Sequence, residues 1–232
     1  MCGRYTLKNA EALARLIAGI TDGENRVITV RYNVCPSQIS PVVRAGGAGK
    51  PTSVLMRWGL VPFWDKSEAP KFAPVNARSE DMLGKPTFRQ AVQQRRCVIP
   101  ADGFFEWHRL DAKTKIPHHF GLKDGAPFLI AGLYEEATAN RPETYCLLTT
   151  GPNALMAPIH DRMPVILPIE RARQWLQPGP LSPETAQTLC QPYDAAAMTA
   201  WPVSSIVNSP RNDVPECVVP VAASSGPGEF LF

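Results

Sequence analysis

From Cys97 to His108 the chain reads CVIPADGFFEWH, which contains two short runs of apolar and aromatic residues. The runs, Cys97–Pro100 and Phe104–His108, have the branched and aromatic content that favours β-strands. Similar short runs recur on both sides of this stretch, which therefore predicts a fold with a β-sheet in its core.

The neighbouring segments extend the pattern along the chain. Further strands are predicted at Arg26–Val30, Ser53–Trp58, His118–Leu122, Phe128–Leu133 and Tyr145–Thr149. Lys123-Asp124-Gly125 is typical of a hairpin turn between the two runs beside it. Apolar spacing and helix-start residues predict helices at 10–20, Thr87–Arg95, Ile169–Leu176 and Pro183–Cys190. We expect an α+β fold with a bent, mainly antiparallel, barrel-like sheet and peripheral helices.

Length and composition suit a single globular domain. The chain has 232 residues, of which 44% are hydrophobic, and we expect one domain over 1–221 and a flexible tail over 222–232. The net charge of +3 does not by itself favour nucleic acid as a partner. No membrane span or signal peptide is recognisable, so a cytoplasmic protein without a membrane partner is expected. The six cysteines show neither CxxC pairs nor zinc-finger spacing.

Cys2 is the first candidate for chemistry, because removal of Met1 would make it the N-terminal residue. Its α-amine, with a pKa of about 8, would then lie on the carbon next to the one that bears the thiol. The amine can form a Schiff base with an aldehyde, and the thiol can close onto the imine carbon to give a thiazolidine. Alternatively the thiolate attacks a carbonyl with the amine as its base, or the cysteine has no role.

Two further residues could move protons. Glu106 lies in an aromatic run, where burial would raise its pKa; the alternative is a strand residue that faces solvent. His160, in the segment Ile159-His160-Asp161-Arg162-Met163-Pro164, could act as an acid or base or simply be a hydrogen-bonded loop residue.

Basic and aromatic residues in the middle of the chain are compatible with nucleic acid. Arg78, Lys85, Arg89, Arg95 and Arg96 form a modestly basic segment, which could contact phosphates or be a solvated helix face. Phe63 and Trp64 form an aromatic pair that could stack on bases or belong to the core.

The combination and order of six motifs resemble the SRAP family (SOS response-associated peptidase). The resemblance extends from Cys2 to about Pro220, and it rests on Cys2-Gly3-Arg4-Tyr5, Arg31-Tyr32-Asn33-Val34, Trp58-Gly59-Leu60, Asn76-Ala77-Arg78-Ser79-Glu80, Asp102-Gly103-Phe104-Phe105-Glu106-Trp107 and Ile159-His160-Asp161-Arg162-Met163-Pro164. Cys35 departs from the family, which more often has a small residue before Pro36, and this could place a second thiol near the site.

The resemblance implies a single SRAP-type domain that binds single-stranded DNA and traps abasic sites as a covalent DNA–protein crosslink through Cys2. It implies that Asn76 positions the adduct, that Glu106 holds the α-amine and moves protons, and that His160 is the acid or base for the sugar. Arg4, Arg78 and Arg162 are expected to contact phosphates, and Trp64 and Phe63 to stack on bases.

The resemblance also implies lyase-type imine chemistry, autoproteolytic removal of Met1, and no metal or organic cofactor. We expect a monomer in the cytoplasm, associated with the nucleoid when it is bound to DNA. Two alternatives stay open: an N-terminal-nucleophile amidohydrolase that uses the same Cys2, and a non-covalent module for single-stranded DNA. The amidohydrolase would need a glutamine-binding motif such as Arg-Gly-Pro-Asp, which the chain lacks.

Overall fold

The computed structural model describes residues 2–21, 27–45, 50–65, 67 and 70–221. The helices are α1 (Ala10–Ile20), α2 (Pro86–Gln94), α3 (Ile169–Leu176) and α4 (Pro183–Leu189). The strands are β1 (Tyr5–Leu7), β2 (Arg31–Val34), β3 (Ile39–Ala45), β4 (Pro51–Trp58), β5 (Asn76–Arg78), β6 (Arg96–Ala101), β7 (Gly103–Arg109), β8 (Lys115–Leu122), β9 (Phe128–Glu135), β10 (Thr144–Thr150), β11 (Met163–Pro164), β12 (Ile166–Leu167) and β13 (Met198–Pro202). Short 3₁₀ turns lie at Ala195–Ala197, Ser205–Asn208 and Pro215–Val218.

These strands form two sheets. The first has the order β13-β8-β7-β1-β2, and its pairings are antiparallel. The second has the order β11-β10-β4-β3-β6-β9-β12, with β5 beside β10. Because β9 also pairs with β10, the strands β10, β4, β3, β6 and β9 form a continuous circuit of neighbours. This circuit gives the second sheet its barrel-like bend.

Helices α1, α2 and α3 pack against strands of the second sheet, each through one apolar face. In α1 the Asn9 side chain caps the first turn by accepting a hydrogen bond from the Ala12 N–H (3.0 Å), and Leu13 and Ile17 are buried. α2 begins at Pro86, whose fixed φ suits the first helical position. α3 packs against β6 and β9 and buries Trp175, whose indole N–H donates to the Cys97 carbonyl (2.9 Å).

Strand β7 is covered on both faces, which is the feature of the fold that matters most for the site. Phe104 belongs to the main core, whereas Phe105 belongs to a second cluster with Val203, Val207 and Cys217. The residues of this second cluster other than Phe105 follow β13 in sequence, so this later segment packs against β7. This arrangement buries Glu106 as well, although strand side chains alternate between the two faces.

The expected α+β class and the bent, mainly antiparallel sheet with peripheral helices are confirmed. Two local predictions were wrong. Residues 27–30 form no strand, and the neighbouring strand begins at Arg31. A turn does follow Leu122, with the Gly125 N–H donating to the Leu122 carbonyl, but the strands on its two sides, β8 and β9, belong to different sheets and form no hairpin.

Two further expectations concern the C-terminal tail and the membrane. The predicted tail, 222–232, lies outside the described residues. In the described ranges, none of the helices is long and apolar enough to cross a membrane.

His119 on β8 is a buried histidine without a polar partner. Its ring lies between Phe105 and Trp201, with centroid separations of 5.1 and 4.7 Å, and neither ring nitrogen has a hydrogen-bond partner among the residues described. Gly103 permits this packing, since a Cβ there would come within 2.2 Å of His119 Nε2. Burial lowers the pKa of His119 to about 3, so the folded protein holds it neutral.

We predict that His119 makes the fold acid-labile. The unfolded chain binds a proton at a pKa of about 6.5 and the folded chain only near 3, so this group costs stability as pH falls through that interval, at up to about 1.4 kcal/mol per pH unit. Urea unfolding of His119→Phe should therefore show an advantage over the wild type that grows from pH 7 to pH 4. His108→Gln, on the same sheet, is the control, and a constant difference across this range would contradict the assignment.

Candidate active site around Cys2

Cys2 lies in the core because β1, which follows it, pairs with both β7 and β2. Its side chain is fully buried, and its Sγ lies 3.7 Å from the Arg4 carbonyl oxygen. Burial, reinforced by the negative charge of Glu106, raises the pKa of the thiol far above its usual range. The thiol is therefore protonated at neutral pH, and a base must accept its proton before or during any nucleophilic attack.

Asn76 holds the backbone of Cys2. It begins β5, which is aligned in parallel with β10, and its Nδ2 donates to the Cys2 carbonyl over 2.8 Å. Its Oδ1 is buried and accepts no hydrogen bond from any described residue. Asn76 thus fixes the main chain of the nucleophile and retains one acceptor for a further donor.

Glu106 and His160 form a pair that can exchange a proton. Burial raises the pKa of the Glu106 carboxyl to about 7, which confirms the expectation of a buried carboxylate with a raised pKa. His160 Nε2 lies 3.9 Å from Glu106 Oε2. A carboxyl group that titrates near neutrality can both donate and accept protons at physiological pH.

The loop between β10 and β11 fixes the orientation of His160. Its Nδ1 accepts a hydrogen bond from the Arg162 backbone N–H (3.0 Å), which assigns the proton of the neutral ring to Nε2, the nitrogen nearer Glu106. Burial lowers the pKa of His160, so this neutral tautomer prevails at pH 7. The Asp161 side chain, which is 80% exposed, lies 3.0 Å from the same Nδ1 and can accept a hydrogen bond there only when Nδ1 carries a proton.

Arg162 and Arg4 bind mainly to the protein itself. The Arg162 guanidinium makes two 2.8 Å hydrogen bonds to Glu80 and one of 2.6 Å to the Thr149 carbonyl, and it is almost fully buried. Arg4 donates to Asn33 Oδ1 (3.0 Å) and to carbonyls of the 3₁₀ turn at 205–208. Arg162 secures the loop that carries His160, and Arg4 ties the segment before β1 to the 3₁₀ turn at 205–208.

The remaining basic residues of the sequence segment differ in availability. Arg78 and Arg89 are exposed. Arg95 pairs with Glu135 (3.1 Å). Arg96 is buried and donates to the backbone carbonyls of Val92 in α2 and Trp175 in α3. Fewer of these basic side chains are therefore available to a ligand than the sequence indicated.

The aromatic pair Phe63 and Trp64 lies at the surface. The two rings meet edge to face with centroids 5.1 Å apart, and they are 44% and 47% exposed. They line a cavity of about 570 Å³ together with Arg89 and Gln90 of α2. An exposed aromatic pair beside a cation is a surface on which a planar, negatively charged ligand can stack.

Trp107, for which the sequence assigned no separate role, also belongs to the site. It lines the same cleft as Glu106 and His160, its indole N–H donates to Asn208 Oδ1 (2.7 Å), and the Arg4 guanidinium lies 5.9 Å from its ring centroid. The sequence signal for including Trp107 in the site was its position as a large aromatic residue directly after Glu106. Cys35 is buried beside Asn33, the partner of Arg4, with its Sγ 3.2 Å from the Asn33 carbonyl.

The described part of the chain holds no cluster of three or more His, Cys, Asp or Glu side chains that could bind a metal ion. The assembled groups are a buried thiol, an amide that holds the backbone of the same residue, and a carboxyl group beside a histidine. Such a set can add a nucleophile to a carbonyl carbon and move the protons that this addition requires.

Known proteins resemble this chain over most of its length. The family described as SOS response associated peptidase (SRAP) matches residues 1–210. The chain is 44% identical over 227 residues to the abasic site processing protein YoqW of Bacillus subtilis, and the alignment covers 94% of this chain and 99% of YoqW. It is 32% identical over 229 residues to the abasic site processing protein HMCES of Rattus norvegicus, which covers 82% of this chain and 64% of that protein.

A solved structure from Bacteroides thetaiotaomicron has the same fold, with a TM-score of 0.79 at 28% identity over 95% of this chain and all of that one. Since the family match spans nearly the whole described chain and contains every group of the site, this protein belongs to the SRAP family.

Proposed function

We propose that this protein binds single-stranded DNA and captures abasic sites covalently through Cys2, as part of a response to DNA damage. The observation that carries the proposal is the surroundings of Cys2: its backbone is held by Asn76, and the charge of Glu106, itself 3.9 Å from His160, acts on its thiol. The names of the relatives YoqW and HMCES, both abasic site processing proteins, support the choice of lesion.

The reaction begins once Met1 has been removed by hydrolysis, in which water supplies the hydroxyl of the new Met carboxylate and a proton for the new amine. The Cys2 amine adds to the aldehyde carbon of the ring-opened abasic sugar, and the resulting carbinolamine loses water to give a Schiff base. The Cys2 thiol then adds to the imine carbon, and its proton passes to the nitrogen. The product is a thiazolidine, in which carbon–nitrogen and carbon–sulfur bonds both join the protein to the DNA.

The site residues divide the proton transfers between them. Glu106, with a pKa of about 7, accepts a proton from the ammonium form of the amine and returns it to the departing hydroxyl. As the sugar ring opens, the anomeric hydroxyl releases its proton to the Glu106 carboxylate and His160 donates its Nε2 proton to the ring oxygen; proton transfer from Glu106 to His160 then restores both groups. Asn76 keeps the Cys2 backbone in place throughout. The same acid–base pair can assist the hydrolysis of the Met1–Cys2 bond, which is the basis for proposing autoproteolysis.

The DNA strand is proposed to follow the basic and aromatic residues around the site. Arg78 is exposed and can bind a phosphate directly, and Phe63 and Trp64 offer faces for bases. The Arg4 and Arg162 guanidinium groups donate to Asn33 and Glu80, respectively, so only their remaining N–H groups can bind a phosphate. We further propose that the protein acts as a monomer in the cytoplasm, on the DNA of the nucleoid.

The decisive experiment blocks the amine. In a variant with Glu inserted between Met1 and Cys2, Met1 and the inserted Glu are retained, so Cys2 has no free α-amine. This variant should form no heat-stable adduct on an abasic single-stranded oligonucleotide. Its binding to intact single-stranded DNA should stay within about twofold of wild type, because phosphate contacts supply that affinity. Intact mass of the wild type should show Met1 removed.

Each outcome separates the competing functions. Crosslinking by the extended chain at the wild-type rate would exclude the thiazolidine. Ammonia release from glutamine by the wild type, without any adduct, would establish the amidohydrolase. DNA binding by the wild type with neither product would leave a non-covalent binding module.

A further inference from the structure

A cleft beside the acid–base pair is lined by two cations that the proposed reaction does not use. It has a volume of about 380 Å³, and Glu106, His160 and Trp107 line it together with the cations Arg109 and Lys115. Arg109 and Lys115 are exposed, and neither side chain has a hydrogen-bond or ion-pair partner among the described residues. The cleft therefore connects the reacting groups to two cations that are open to solvent.

The antiparallel pairing of β7 and β8 brings these cations together. Arg109 lies directly opposite Lys115, two residues beyond the pair Trp107 and Pro117. Residues two apart on a strand share a face, so both cations lie on the face of Trp107. Like charges in directly opposed positions repel each other, so the pair does not stabilise the hairpin. A bound anion would remove this repulsion.

The spacing suits a DNA strand. Arg109 is three residues from Glu106 along an extended strand, about 10 Å of backbone, and both residues line the cleft although their side chains leave opposite faces of β7. Phosphates of a stacked strand recur every ~3.4 Å along its axis, so the two cations reach a phosphate within about three nucleotides of a sugar held at Glu106. Trp107 lies between them on the same cleft, where a base attached to that backbone can contact its ring.

The acidic groups that face the cleft are few. Asp161, whose side chain is 80% exposed, lies on the wall with His160 and brings one negative charge against the two cations. Glu106 is buried, and burial raises its pKa to about 7. The two cations therefore keep a positive charge towards a ligand.

We propose that Arg109 and Lys115 form a phosphate-binding subsite for the DNA strand as it continues past the captured abasic site. This inference rests on the proposed function, and it names two binding residues that contact the substrate on one side of the lesion only. The contact is with phosphodiester groups and carries no base preference.

The test compares two double variants with the same change in net charge. R109Q/K115Q removes the subsite, and R171Q/K123Q removes one arginine and one lysine that are also exposed but lie on α3 and at the far end of β8. Fluorescence anisotropy with intact single-stranded DNA gives the affinity at several salt concentrations. For R109Q/K115Q we expect affinity about tenfold lower at low salt and a salt slope smaller by about 0.7 to 1.4, as for one or two lost phosphate contacts.

A second measurement gives the direction of the strand. Abasic oligonucleotides that end close to the lesion on either the 5′ or the 3′ side are used at limiting protein. R109Q/K115Q should slow adduct formation on only one of the two, the one that retains the strand across the cleft, and R109K/K115R should restore it. Millimolar inorganic phosphate should not reduce the difference between variant and wild type; if it abolishes the difference, the site binds small anions and not the strand.

The subsite is excluded if both double variants have equal salt slopes, or if both truncated substrates are affected equally. The binding measurement uses DNA without a lesion, so it gives its answer even when no crosslink forms. Failure of the crosslinking chemistry and failure of the subsite are therefore observed separately. Equal urea unfolding midpoints establish that both exposed double variants remain folded.

Discussion

Cys2→Ser should lose the heat-stable adduct and accumulate a Schiff base that borohydride can trap. Methionine aminopeptidase generally removes Met before a small residue such as serine, so the α-amine is exposed even if the chain does not cleave itself. The hydroxyl is a far poorer nucleophile than the thiol, however, so the ring does not close. The imine persists, acidifies the neighbouring C–H of the sugar and permits β-elimination, which cuts the strand.

Both products should be measured on one abasic oligonucleotide across pH. We expect stable adduct at background level, with more strand cleavage per binding event than in the wild type. Cys35→Ser is the matched control, because Cys35 is a second buried thiol, beside Asn33, without a neighbouring amine. A stable adduct at the wild-type level from Cys2→Ser would show that the thiol is not required. Absence of a trappable imine, with DNA binding intact, would show that the amine does not react first.

Replacement of the acid–base pair should give the next largest effect. His160→Ala removes the donor fixed by the Arg162 backbone N–H, and we expect adduct formation or reversal to slow by about 10²-fold, a typical contribution of general acid–base catalysis. Glu106→Gln keeps the shape of the side chain, so part of the formation should survive, while exchange of the adduct between DNA strands slows.

The pH dependence distinguishes a catalytic Glu106 from one that only positions the amine. Reversal needs a proton donor, and Glu106 is protonated below its pKa of about 7. Wild-type exchange should therefore slow as pH rises above 7, by roughly tenfold per pH unit, and Glu106→Gln should lack this slope. Glu170→Gln, exposed on α3, is the control. Wild-type rates and slopes in both site variants would remove the pair from the mechanism.

Composition predicted the central strands well because it decides them locally. The runs that became β6, β7, β9 and β10 are dense in branched and aromatic residues; β6, β9 and β10 are buried along their whole lengths and β7 over its first four residues. β1 and β2 were missed because they are short and their strand state depends on pairing with β7 and with each other. The turn after Leu122 was recognisable, but long-range pairing decided that its two strands lie in different sheets.

The site follows the same division. Single positions left Cys2, Glu106 and His160 each with two interpretations, and only the order of the motifs united them. The structure shows Glu106 buried on a strand that is covered on both faces, which removes its solvent-facing alternative. The bond of Arg162 to Glu80 joins residues 82 positions apart, and no local pattern indicates which anion an arginine will bind.

The link from Arg4 to the 3₁₀ turn at 205–208 has a consequence for biosynthesis. Its partner Val207 is 203 residues further along the chain, and Asn33 also binds carbonyls at Val207, Ser209 and Asn212. Val207 leaves the ribosome roughly 200 residues after Cys2, so over that interval the nascent protein carries Cys2 without the contacts that shape the site. Formation of the site is therefore coupled to synthesis of the segment 207–212. Products that terminate before Val207 would carry Cys2 without these contacts.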